Sequence, residues 1–301
     1  MIEAEAEVKL RTRRLTNPDR TEVRDSQKRW LATLTDDAYT VTLRGPRRTF
    51  TERTVTDAVT HSIWVRTLPK PFDGNPDIGW LTYALQANAK KIPDVLAIAM
   101  QYIAKAPSIF DGNLQIAGDA AYGPFVNGER KEGSDFNDYL GIAWVYPDEV
   151  DNPEQRQFRC VDCSGFVRMV WGYRHHLPGR HYLDTVPLAL KPSQRRRGIP
   201  RHSFEIYDAS PGIITIENTG IQVKDLSTLD VGDLVFFDAD KKDGTRLDHV
   251  GIYLGLDAGN HHRFISSRKS ANGPTMGDYK GKSILDGTGL YARAFRAVRR
   301  L

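Results

Sequence analysis

The stretch Asp162-Cys163-Ser164-Gly165-Phe166-Val167-Arg168-Met169-Val170-Trp171 decides how this chain is read. Cys163, Phe166, Val167, Val170 and Trp171 recur at i, i+3, i+4, i+7 and i+8, the apolar stripe of one helix face. Asp162 is a good N-cap, and Pro178-Gly179 is a stop signal. The spacing predicts a helix with the cysteine in its first turn, at the edge of the stripe. There the unpaired N–H groups and the positive dipole end favour thiolate, and can receive a developing oxyanion. A small core cysteine capped by its neighbour is the competing reading, because free cysteine is among the most buried residue types.

The composition is that of an ordinary globular protein. With 301 residues, 40% hydrophobic and 27% charged, the chain has material for one large domain or two modest ones. A net charge of +4 is too small a basic excess to argue for nucleic acid, and no RNP motif or basic heptad helix accompanies it. The start, Met1 to Glu7, is acidic and lacks the apolar core of a secretory signal. The longest apolar run, Val95 to Met100, is too short to span a bilayer, so no membrane span is expected. Cys160 and Cys163 are the two cysteines, spaced Cys-x-x-Cys as in a redox pair or half of a metal site. No hydrophobic strand precedes them as in a thioredoxin-like turn, and no cofactor or metal is expected.

Residues 1–75 read as an extension with no visible chemistry. Tyr39, Val41 and Leu43 alternate in a short strand ending at Gly45-Pro46, and Thr54 to Leu68 is a candidate partner for it. Residues 71–77, rich in Pro, Gly, Asp and Asn, mark a boundary, giving a second unit at 76–301. Helices are expected from Ile78 to about Ala89 and from Asp94 to Ala104, with Pro93 in the first turn of the second. Ala120-Ala121-Tyr122-Gly123-Pro124 reads as a turn with an exposed tyrosine, and 128–157 as a long acidic surface loop. Residues 178–228 read as irregular. Their basic cluster, Arg195-Arg196-Arg197 with Arg201, is either a solvated loop or a patch for an anionic partner.

From Asp230 the pattern turns to strands. Gly232 to Phe237, Leu247 to Gly255 and Arg263 to Ser267 make an antiparallel meander. Period two puts His249, Gly251 and Tyr253 on one face, with Gly251 leaving open space over the imidazole. A lone strand histidine is usually structural, but here it has a candidate partner. A thiol nucleophile needs a base, and imidazole is the side chain tuned for that near neutral pH. A helix-borne cysteine on a sheet that presents a histidine is the arrangement of thiol acyl transfer.

Asp162-Cys163-Ser164-Gly165-Phe166-Val167, Gly232-Asp233-Leu234-Val235-Phe236-Phe237 and His249-Val250-Gly251-Ile252-Tyr253-Leu254-Gly255 together resemble, in order, the NlpC/P60 family of cell-wall cysteine peptidases. Ala121 to Pro124 is similar to that family's upstream tyrosine turn, and Phe295 to Leu301 to its last strand. The resemblance covers roughly residues 94–301. It implies an α+β, papain-like fold, with the helix-borne cysteine packed on an antiparallel sheet. It implies hydrolysis of amide bonds in peptidoglycan stem peptides, typically between γ-D-glutamate and the diamino acid, through a thioester acyl-enzyme. Carried over by motif, Cys163 is the nucleophile, His249 the base and Tyr122 a wall of the acyl site, while Asp162 and Ser164 orient substrate. The third polar residue falls on Ser266, with His262 on the same strand face as a second candidate. Two other functions remain open: an amidase or transpeptidase using the same dyad, and a non-catalytic module of a phage tail or secretion apparatus. With no leader visible, the expected location is the cytoplasm, or the cell wall after delivery by a non-Sec route.

Overall fold

Alternation of apolar and polar residues in the first 70 positions builds a sheet rather than a loose arm. In the computed structural model, which describes residues 10–147, 149–175, 185–192, 198–240 and 244–301, five strands pair antiparallel in chain order. They are β1 (Arg11–Leu15), β2 (Arg20–Arg24), β3 (Trp30–Thr35), β4 (Thr40–Phe50) and β5 (Val59–Thr67). The expected pairing of Tyr39–Leu43 with Thr54–Leu68 is that of β4 with β5. The strand does not stop at Gly45-Pro46; a register shift between Arg44 and Arg48 absorbs the proline, and pairing resumes to Phe50.

Val23, Ala32, Leu34, Val41 and Leu43 form the buried face of this sheet. Helix α1 (Ile78–Ala89) covers it with Trp80, Leu81, Ala84 and Ala87. Asp77 starts α1 by accepting the Trp80 N–H at 3.0 Å. The next helix, α2 (Val95–Ala99), ends in a 3-10 turn at Tyr102, short of Ala104. Its N-cap is Asp94, so Pro93 lies before the cap and not in the first turn. Asp94 is fully buried and is paid for by both guanidinium nitrogens of Arg48 at 2.6 Å and by the Val65 N–H at 2.7 Å.

Two small hairpins follow, β6 (Ile109–Asp111) with β7 (Leu114–Ala117) and β8 (Phe125–Val126) with β9 (Glu129–Arg130). Helix α3 (Phe136–Leu140) and the hairpin β10 (Trp144–Val145) with β11 (Val150–Asp151) lead to the cysteine segment. The acidic stretch 128–157 is therefore not all surface loop. Every residue of α3 is buried, because Phe136, Tyr139 and Leu140 enter the main core and Asp135 and Asp138 close a capping box.

Helix α4 (Cys163–Val167) continues as a π-helix through Arg168–Arg174. The stripe Cys163, Phe166, Val167, Val170 and Trp171 is buried throughout. The run ends at Arg174, ahead of Pro178-Gly179, which lies outside the described residues together with His176, His181, Arg195, Arg196 and Arg197. The stretch read as irregular holds α5 (Ser203–Ala209) and β12 (Ile213–Ile216).

The remaining elements are β13 (Leu234–Phe237), β14 (His249–Leu256), β15 (His262–Arg268), β16 (Gly273–Thr275), α6 (Leu290–Ala294) and β17 (Phe295–Arg300). They complete an antiparallel sheet of order β12-β17-β13-β14-β15-β16, with the expected meander at β13-β14-β15. Helix α4 packs on β14 and β15.

Arg300 joins the two sheets. Its guanidinium bonds both Asp233 oxygens at 2.7 and 2.9 Å, Asp230 at 2.9 Å and the Thr35 hydroxyl at 3.0 Å. Beside it the Leu301 carbonyl accepts from the Thr40 N–H at 2.7 Å and the Thr40 hydroxyl at 2.5 Å. Replacing Arg300 by Met removes the cation that partners the buried Asp233, so the variant should lose about 3–5 kcal/mol of stability. Urea unfolding of wild type and Arg300→Met, read at equal m-value, checks this.

Candidate active site

Asp162 fixes the start of α4. One carboxylate oxygen accepts the Gly165 N–H at 2.8 Å and the other the Gly133 N–H at 3.1 Å. The Asp162 N–H reaches the Ser134 carbonyl at 2.9 Å, drawing the segment before α3 against the first turn of α4. Gly165 makes that approach feasible: a Cβ there would stand 2.4 Å from the Ser134 carbonyl oxygen and 2.9 Å from the Asp135 Cα.

Cys163 is 6% exposed and forms part of the floor of a cleft of about 530 Å³, whose walls include Tyr122, Asp162, Ser164, Arg201 and Asp248. Its Sγ rests on the backbone on either side of His249. The Asp248 carbonyl lies 3.9 Å away and the Val250 N–H points to the sulfur. Cysteine and histidine, distant in sequence, thus share the junction of α4 with the start of β14. The His249 Nε2 hydrogen-bonds the Ser266 hydroxyl at 3.0 Å. His262, the other candidate, is turned to the Tyr253 hydroxyl at 2.8 Å.

The site is drier than its position at a helix start suggests. Burial pushes the Cys163 thiol well above its usual range, and the Asp162 charge adds to this against the Val250 N–H. In the resting protein desolvation thus works against the thiolate that a helix start favours. Burial, reinforced by the positive charge of Arg268, lowers the His249 imidazole to about 3. Thiol and imidazole are therefore both neutral near pH 7.

Two local expectations are corrected. Tyr122 is 5% exposed and forms a wall of the cleft, not an exposed turn residue; burial, then the nearby Cys163 and Asp162, raise its hydroxyl. Gly251 does not leave open space over the imidazole. A Cβ there would meet the Phe264 ring at 2.8 Å and the Ile265 carbonyl at 2.9 Å, so the glycine admits β15 close to β14.

Asp162 and Ser164 line the cleft, but their polar atoms are largely committed. Arg201 bonds both Asp162 oxygens at 2.7 and 3.2 Å and the Ser164 hydroxyl at 2.7 Å, and lies 3.7 Å from Asp135. Arg201 thus belongs to the site and is neither a solvated charge nor an open patch for an anionic partner. Nothing in the sequence separates it from the basic residues just before it; its partner acid lies 39 positions upstream. At the rim, the Arg246 guanidinium lies 3.7 Å over the Phe204 ring.

The spacing Cys160-x2-Cys163-x12-His176-x4-His181 also fits a zinc-finger ligand pattern. His176 and His181 lie outside the described residues. Among the described residues, no group of three or more His, Cys, Asp or Glu gathers as metal ligands, and no helix is long and apolar enough to cross a membrane.

Residues 153–283 match the model of the NlpC/P60 family, and this segment is an NlpC/P60 family domain. The family suggests peptidoglycan-related hydrolase activity. The matched segment includes Cys163, His249 and Ser266 and leaves out Tyr122. No curated protein matches the chain.

The neutral pair has a measurable signature. An unfolded histidine titrates near 6.5 and the folded His249 near 3, so between these values the unfolded chain binds one more proton. The stability contributed by neutral His249 is complete above pH 6.5 and is lost on acidification toward 3. Its slope is up to about 1.4 kcal/mol per pH unit. Unfolding of wild type and His249→Gln across this window should show that slope in wild type and a reduced one in the variant.

Proposed function

We propose that this cleft is the active site of a cysteine peptidase that hydrolyses amide bonds in peptidoglycan stem peptides. The expected bond lies between γ-D-glutamate and the diamino acid. The observation that carries the reading is the seat of the Cys163 sulfur, at the foot of an open cleft and against the backbone that flanks His249. The family match over the same residues supports the substrate class. A helix-started cysteine packed on a histidine-bearing antiparallel sheet is also the layout of a papain-like fold, which we adopt for this domain.

In this reading Nε2–H of His249 donates to the Ser266 hydroxyl, which leaves Nδ1 to take the thiol proton. Substrate entry displaces water. The sulfur attacks the scissile carbonyl as its proton moves to Nδ1, so no free thiolate accumulates in the resting protein. N–H groups at the start of α4 face the developing oxyanion. The imidazolium then protonates the leaving amine, giving a thioester that water hydrolyses with His249 again as base. Tyr122 shapes the acyl side of the cleft, while Asp162 and Ser164, tied to Arg201, hold its floor in place.

Digestion of purified muropeptides should yield a new amine end on the diamino acid, identified by product mass. Cys163→Ala should cut the rate at least about a thousandfold, and His249→Ala comparably. Products joined to a second amine would instead indicate transpeptidation, and no product from wild type would count against peptidase action.

A further inference from the structure

The hydrogen bond seen on the His249 imidazole is to an uncharged serine, which sets one direction of the ring and leaves rotation about that bond open. The ring is confined by aromatic neighbours. Phe237 lies 5.6 Å away between centroids, inclined at 47°, and Tyr291 lies 5.6 Å away, inclined at 36°. Tyr291 comes from α6, outside the family-matched segment, and is 6% exposed.

Tyr291 is itself held on several sides. Its ring meets Phe237 edge-on at 5.6 Å and Phe264 at 5.4 Å. The Arg268 guanidinium lies 5.1 Å over it. Arg268 is 1% exposed and donates to the carbonyls of Gly281 at 2.5 Å and Gly277 at 3.1 Å. The chain from backbone to imidazole is continuous: two carbonyls hold Arg268, Arg268 holds Tyr291, and Tyr291 faces His249.

We propose that Tyr291, clamped by Arg268, is a positioning residue for catalysis, holding the His249 imidazole in the one orientation in which its bond to Ser266 can fix a single tautomer. The inference rests on the Cys163–His249 reading of the active site. It supplies what a serine third member lacks. A stronger polar partner would hold the ring by a hydrogen bond alone; here the hold is divided between one weak bond and an aromatic wall.

The test compares Tyr291→Leu with Tyr291→Phe in the full chain. Turning the imidazole out of line should lower kcat about 10- to 100-fold in Tyr291→Leu, with KM unchanged to within about twofold. Tyr291→Phe keeps the ring wall and should recover most of that loss. A second readout needs no turnover: long-range 1H–15N spectra of His249 should show one tautomer in wild type and Tyr291→Phe, and averaged nitrogen shifts in Tyr291→Leu.

A folded Tyr291→Leu with wild-type kcat and a single tautomer would overturn the proposal, as would Tyr291→Phe being as impaired as Tyr291→Leu. Should Tyr291→Leu fail to fold, Arg268→Met takes its place; averaged shifts there support the clamp and a single tautomer overturns it. If wild type cleaves no stem peptide, the peptidase reading fails by itself, while the spectra still decide the role of Tyr291.

Discussion

A single buried carboxylate organises the site. Burial pushes Asp162 toward protonation, but the Arg201 charge and the N–H groups of Gly165 and Gly133 overcome this and hold it below the usual carboxylate range. Each of those bonds ties down a different segment. The Gly165 bond starts α4, the Gly133 bond fixes the approach to α3, and Arg201 brings in the segment ahead of α5. From Arg201 the network passes to Asp135 and on to Arg168, which grips Asp135 at 3.0 Å and the Ala189 and Ile199 carbonyls. An isolated charge at this depth would be costly, so the surrounding chain converges on it, and Cys163 takes its place as the next residue.

Much of this centre was legible in the sequence, and what was missed has a common physical cause. The stripe from Cys163 to Trp171 and the alternation around His249 are local periodicities, and both elements form where the patterns place them. Ser266 could be reached by aligning the next strand, and it does meet the imidazole. Arg201 and Tyr291 carry no comparable local signal. One resembles any basic loop residue and the other a tyrosine in a five-residue helix; their roles exist only once distant strands and loops are assembled. The acidity of 128–157 misled for a related reason: its carboxylates Asp135 and Asp138 face backbone N–H groups and arginine rather than water. The desolvation of Cys163 in the first turn of α4 is likewise a property of the assembled fold and not of the local sequence.

The N-terminal sheet meets the second sheet away from the cleft. Thr35 and Thr40 contact the end of β17, and the His61 ring reaches the Leu254 carbonyl at 2.8 Å. Leu254 lies five positions along β14 from His249, roughly 17 Å at the rise of a strand. On the edge beyond β15, the Thr56 hydroxyl donates to Asp278 at 2.7 Å, and Asp278 also accepts from Arg263 at 2.9 Å. These contacts brace the far end of the strand that presents the histidine, the geometry of a buttress rather than of a cover over Cys163.

The wall around the sulfur has a further consequence. Peroxide oxidises thiolate far faster than thiol, so a buried cysteine kept protonated is a poor target for conversion to sulfenic acid. Cys160, three residues away, is also free and buried, and its thiol is likewise raised by desolvation. In the proposed peptidase, the burial that keeps Cys163 protonated until substrate arrives therefore also slows its oxidation.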